Sequence, residues 1–127
     1  MNKKQIVCNT APKAIGTYSQ AISIGAFVFI SGQIPLKYSD MSVLDGSFED
    51  QVKLVLTNIN EIAKEAGCTI DDCVKLTVYL NNLEDFAKVN SAMETIFNEP
   101  FPARAAVEVS RLPKDVDVEI DAILYKQ

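Results

Sequence analysis

Histidine is absent from this 127-residue chain, and arginine nearly so: Arg104 and Arg111 stand against ten lysines. Without histidine, Ser-His-Asp and Cys-His catalysis are excluded. The same absence leaves Cys68 and Cys73 a poor zinc half-site, since further ligands would have to come from distant segments. With Cys8 the cysteines number three, at spacings that form no disulfide framework. Free thiols fit a reducing compartment, here the cytoplasm. No apolar run approaches the roughly 18 residues of a membrane span. The opening MNKKQIVCNTAP carries no apolar stretch behind its lysines, so no signal peptide is predicted. A basic stripe is missing as well. The lysines are scattered singly and the net charge is −5, which argues against nucleic-acid binding by counterion release.

What is present describes an ordinary globule. A 48% apolar content and mean hydropathy near zero predict a single domain spanning residues 1–127. Repeats, low-complexity tracts and Pro/Gly/Ser-rich linkers are absent. Short apolar runs at 6–8, 21–25 and 26–34 read as strands, with Gly25 as a tight hairpin turn. Residues 35–47 read as a loop. The period then lengthens: Phe48, Val52, Val55, Leu56, Ile59, Ile62, Ala63 and Ala66 mark a long amphipathic helix. Ser47 with Asp50 resembles a capping box, and Gly67 suits the residue after the C-cap. VKLTVYL at 74–80 reads as a strand. Residues 83–97 return to helical spacing, with Leu83, Phe86, Ala87, Met93 and Phe97 on one face, until Pro100 and Pro102 end the helix. Strands at 103–109 and 116–125 complete a β-β-β-α-β-α-β-β order. That order predicts an α+β fold with the helices on one face of a mixed or mostly antiparallel sheet.

Two places carry more than packing requires. Asn90 falls on the apolar face of the second helix, four residues after Phe86 and three before Met93. It is either a structural amide bonding nearby backbone or a polar group aimed at a pocket. In FPARAAVEV, residues 101–109, Arg104 sits inside a strand, where an unpaired charge is costly to bury. If the last two strands form a hairpin, matching their apolar faces puts Arg104 and Ala106 on the same side as Glu119 and Asp121. Ala106, Ile123 and Tyr125 make that side mixed rather than polar. A solvated cross-strand ion pair is one reading; part of a pocket or subunit interface is the other.

PARAAVEVSRLPKDVDVEIDAI closely resembles the C-terminal signature of the RidA family (YjgF/YER057c/UK114). GTYSQAI at 16–22, ISGQIP at 30–35 and FAKVN at 86–90 resemble its other blocks, in order along essentially the whole chain. The resemblance implies a chorismate-mutase-like fold, assembled as a homotrimer with sites between neighbouring subunits. It implies hydrolysis of 2-aminoacrylate and 2-iminobutanoate to 2-oxo acids and ammonia, without metal or cofactor, protecting pyridoxal-phosphate enzymes. By position, Arg104 would clasp the substrate carboxylate and Glu119 would handle the attacking water and its protons. Tyr18, Ser31, Gly32 and Asn90 would line the cleft, with the backbone at Ala106 touching substrate or water. Glu119 should work best if partial burial raises its pKa toward neutrality.

The chain departs from the family pattern at Thr17, where proline is usual, at Ala106, where several members carry cysteine, and in the 36–47 loop. These departures bear on substrate preference rather than on Arg104 or Glu119. A non-catalytic module that binds a small 2-oxo acid is the alternative from another class. Ribonuclease or translation-inhibitor activity, also attached to the family, fits the acidic pI near 4.6 poorly.

Overall fold

The structure, a computed structural model, describes residues 2–127; Met1, the first residue of the predicted domain, lies outside them. Six strands and two α-helices follow the expected order: β1 Lys4–Ile6, β2 Ala21–Ile24, β3 Phe27–Gln33, α1 Phe48–Glu65, β4 Cys73–Leu80, α2 Phe86–Ile96, β5 Ala103–Glu108 and β6 Val118–Tyr125. They form one six-stranded mixed sheet in the order β1-β2-β3-β6-β4-β5. No helix among the described residues is long and apolar enough to cross a membrane.

Local chemistry explains most boundaries. Gly25, at φ +56°, and Ala26 make the two-residue link between β2 and β3, a conformation glycine adopts at little cost. The Ser47 hydroxyl accepts the Asp50 amide and caps α1, whose first turn also carries Glu49 and Asp50 at the positive end of the helix dipole. β1 ends two residues earlier than its apolar run. Beyond Ile6, the amide and carbonyl of Cys8 are taken by the buried Gln20 side chain instead of a strand partner.

The core lies between α1, α2 and one sheet face. Val28 and Ile30 of β3, Leu76, Val78 and Leu80 of β4, and Val118, Ile120 and Leu124 of β6 meet Val52, Val55, Leu56, Ile59 and Ile62 of α1 and Val89 of α2. Each fully buried Leu or Ile there contributes about 1.5–3 kcal/mol. Asn58, buried on α1, donates to the Leu36 carbonyl at 3.0 Å and ties the 35–47 loop to the helix. In α2 the packed stripe is Val89, Ala92, Met93 and Phe97, whereas Leu83, Phe86 and Ala87 of the predicted apolar face are exposed. That edge of α2 overhangs the end of the sheet, where β5 is the last strand.

The last two strands do not form a hairpin. β5 pairs with β4 in parallel, Leu76 opposite Arg104 and Val78 opposite Ala106. β6 takes the other edge of β4, antiparallel, with Leu76 opposite Ala122 and Tyr79 opposite Glu119. β4–α2–β5 is therefore a parallel crossover through a helix. The consequence corrects the expected facing. Arg104 and Ala106 share the helix-covered face with Leu76 and Val78, while Glu119 and Asp121 point to the opposite, uncovered face. The residues matched as β5's inward side, Ala103, Ala105 and Val107, are exposed.

The uncovered face is rich in apolar side chains. Phe27 and Phe29 of β3, Val107 of β5 and Tyr125 of β6 are each 42–45% exposed. The Tyr125 ring meets Phe27 edge-on at 5.1 Å.

Candidate functional site: two separated clusters

Arg104 leaves the helix-side face at the sheet's edge. Its Nη1 donates to Asn90 Oδ1 at 2.5 Å and points at Met93 Sδ at 3.4 Å, and its guanidinium carbon lies 4.8 Å from the centre of the Phe86 ring. These three residues recur at helical spacing along α2, so one helix edge grips the guanidinium by amide, thioether and ring face. Asn90 is thus a pocket-facing amide rather than a backbone clasp, and it orients the arginine. Among the described residues no carboxylate pairs with Arg104, although Glu94 borders the same cavity. That cavity, about 360 Å³, is lined by Asn90, Met93, Glu94, Phe101, Pro102 and Arg104. Ala106, two residues on, packs partly against the core beside it.

The second cluster lies across the sheet. Between Ile30 and Gln33 the β3–β6 register slips by one residue, a bulge that brings Gly32 against Glu119. A Cβ at Gly32 would overlap Glu119 Oε2 and stand 2.9 Å from its carboxyl carbon, so glycine makes the room the carboxylate occupies. The Ser31 hydroxyl donates to the Ser19 carbonyl at 2.6 Å, tying the bulge to the loop that carries Tyr18. Tyr18, Gly32 and Glu119 line a cavity of about 370 Å³ with Lys13, Lys114 and Met41. Gln20 fixes its wall, accepting from Cys8 N at 2.7 Å and donating to the carbonyls of Cys8 and Pro12 at 3.0 and 2.7 Å.

Burial of the half-buried Glu119 raises its pKa above the usual carboxylate value, and the neighbouring charge of Asp121 adds to the rise. The direction matches the expectation for a proton-handling group. The thiols are inert by comparison: Cys68 and Cys73 are free and buried, and burial pushes Cys73 up to about 12. Among the described residues no group of three or more Cys, Asp or Glu side chains is arranged to hold a metal ion.

The predicted residues thus fall into two groups, Arg104, Asn90 and Ala106 in one and Tyr18, Ser31, Gly32 and Glu119 in the other. Arg104 and Glu119 stand two strands apart, about 10 Å across the sheet, and three register positions apart, about 10 Å along it, with opposite facing. Sequence reasoning missed the grip of Phe86 and Met93 on Arg104. Their i−4 and i+3 spacing around Asn90 was visible; what they hold was not.

The family profile described as Endoribonuclease L-PSP matches residues 8–126. A RutC family protein of Pyrococcus abyssi is 50% identical over 127 residues, all of both chains. A 2-iminobutanoate/2-iminopropanoate deaminase of Salmonella typhimurium is 42% identical, with 98% of each chain covered. The crystal structure of Escherichia coli TdcF with bound serine superposes at a TM-score of 0.91, with 37% identity, over 98% of this chain and 99% of that one.

Proposed function

This chain belongs to the Endoribonuclease L-PSP family, the RidA family of the sequence analysis, and on that premise we propose that it hydrolyses reactive 2-imino and 2-enamino acids to 2-oxo acids and ammonia. The substrates we assign are 2-iminobutanoate and 2-aminoacrylate, in the cytoplasm, where clearing them protects pyridoxal-phosphate enzymes. One observation carries the reading: a half-buried guanidinium, gripped by Asn90 and Phe86 at the mouth of a cavity, has no carboxylate partner among the described residues. A planar fork so held suits a ligand carboxylate in a way a lysine does not. Glu119, in its acid form, donates to the imine nitrogen as water adds to the carbon. As a carboxylate it takes a proton from that water and returns it to the nitrogen; as ammonia leaves and the carbonyl forms, it takes the hydroxyl proton of the tetrahedral intermediate and is restored to its acid form. The imine carbon is already electrophilic, so orientation and one proton carrier supply the help required.

Arg104 and Glu119 cannot meet in one copy, because they face opposite ways. We therefore assign the working unit to a homotrimer, closed head to tail, in which Arg104 of one copy meets Glu119 of the next. The uncovered apolar face with Phe27, Phe29, Val107 and Tyr125 supports this, since contiguous exposed apolar surface marks association.

Complementation tests both parts. Arg104→Ala and Glu119→Gln should each abolish ammonia and 2-oxobutanoate release from 2-iminobutanoate generated in place. Refolded as an equal mixture they should recover roughly a quarter of wild-type turnover, the random fraction of sites with both groups intact. Wild-type turnover at the uncatalysed rate would defeat the deaminase reading. Two inactive variants that stay inactive when mixed would defeat the shared site. The relative crystallised with serine favours a second reading, small-molecule binding without turnover, in which Glu119→Gln leaves ligand affinity intact and the wild type releases no ammonia. RNA cleavage, which the family's description names, is opposed by the net charge of −5.

A further inference from the structure

Glu119 is not alone on its face. Asp121 stands two residues along β6, so both carboxylates point to the uncovered side of the sheet, and both are half-buried. Their hydrogen bonding is unequal. The Tyr79 hydroxyl, carried by β4 opposite Glu119, crosses diagonally and donates to Asp121 Oδ2 at 3.0 Å. Glu119 accepts no hydrogen bond from the described residues and faces the cavity. Thr77 lies opposite Asp121 on β4. The other charged or titratable groups around Glu119 are Lys13, Tyr18 and Lys114 at the cavity wall, Lys75 further down β4 and, in the trimer proposed above, Arg104 of the next copy. β3 contributes Gly32 and Gln33, neither of which titrates.

We infer that Tyr79 and Asp121 are positioning residues for the proton on Glu119: the phenol holds the Asp121 carboxylate in place on the uncovered face, and the charge so placed holds the proton on Glu119. The inference rests on the reading of Glu119 as the proton-handling group. The physics is that of coupled acids. A donor favours the ionised form of the group it touches, and a fixed negative charge close by disfavours a second one. Two carboxyls in different surroundings are thereby given different tasks. The upward displacement of Glu119, from burial first and Asp121 second, agrees in sign. Tyr79 is displaced upward as well, by burial first and then by its bond to Asp121, so it remains a donor throughout the neutral range.

Carboxyl-13C NMR titration of Asp- and Glu-labelled protein tests this without any turnover. Glu119→Gln and Asp121→Asn assign the two signals. In Asp121→Asn the Glu119 midpoint should fall to lower pH. In Tyr79→Phe, which keeps the ring and its packing, the Asp121 carboxylate is no longer held in place and the Glu119 midpoint should fall part of the way. A Glu119 midpoint unmoved in Asp121→Asn or in Tyr79→Phe overturns the inference. Should Asp121→Asn lose native dispersion in its amide spectrum, Tyr79→Phe alone decides. The alkaline limb of the kcat/KM profile should follow the Glu119 midpoint downward. A midpoint that moves while the rate profile does not leaves this inference standing and removes Glu119 from the chemistry.

Discussion

Replacing Gly32 by alanine adds one carbon at the place where the Glu119 carboxyl rests. The new Cβ would overlap Oε2 and sit 2.9 Å from Cδ and 3.2 Å from Cγ of Glu119, where carbon pairs prefer about 3.5–4.0 Å. Gly32 does not adopt a positive φ, so alanine brings no backbone strain of its own. The collision is therefore relieved by the side chain, whose far end must retreat by roughly 1 Å. An off-rotamer torsion of that kind costs about 0.5–1.5 kcal/mol. Stability should fall accordingly, by about 4 °C in Tm for a domain of this size. Activity should fall much further, because misplacing a reacting group by about 1 Å can cost about 10²-fold. Steady-state ammonia release from 2-iminobutanoate, read beside thermal unfolding, separates the two effects. A Gly32→Ala enzyme with wild-type kcat would show that the position of the Glu119 carboxylate does not matter to the reaction, and the reasoning would fail.

Two further outcomes concern stability. The folded pKa of Glu119 is raised above its ordinary 4.5, so the folded state binds that proton more tightly than the unfolded state. Below the ordinary value both states are protonated and the side chain costs nothing; as pH rises through and beyond it, ionisation weighs against the fold. Glu119→Gln should therefore unfold at a higher temperature than wild type at about pH 8, with the difference vanishing near pH 4; a difference that is flat with pH contradicts the assigned direction. Gln20→Ala removes three hydrogen bonds of 2.7–3.0 Å and strands the Cys8 amide and carbonyl. At about 1 kcal/mol per bond, with a further penalty for the stranded groups, the loss should reach about 3–4 kcal/mol. Denaturant midpoints measure it, and hydrogen exchange at Cys8 should quicken; an unchanged midpoint would mean that the N-terminal segment is held some other way.

Much of the fold was legible because it is encoded locally. The 3–4 spacing from Phe48 to Ala66 can be satisfied only by a helix with one buried side, and α1 ends where Ala66 and Gly67 end that spacing. Gly25 marked a two-residue turn because its backbone conformation is one that few other residues accept. The apolar stripe of the second helix was read correctly at Met93 and Phe97, but Val89 and Ala92 are buried in place of Leu83, Phe86 and Ala87. Phe86 and Leu83 are as apolar as Val89, and period alone does not say which of two adjacent edges meets the sheet.

The sequence by itself determined the element order, the caps and turns, and the choice of Arg104 and Glu119 as the residues that packing alone does not explain. Only the tertiary structure decided how those two are related. Alternation along a strand states which side chains share a face; it says nothing of which strand lies next door or which face the helices cover. In β5 one face carries Ala103, Ala105 and Val107 and the other Arg104, Ala106 and Glu108, and neither set says whether the strand pairs with β6 or with β4. The α2 crossover settled it by laying β5 parallel to β4 and leaving β4's other edge to β6. That long-range choice turned Arg104 toward the helices and Glu119 away from them, and a pairing between residues so far apart in the chain leaves no local trace.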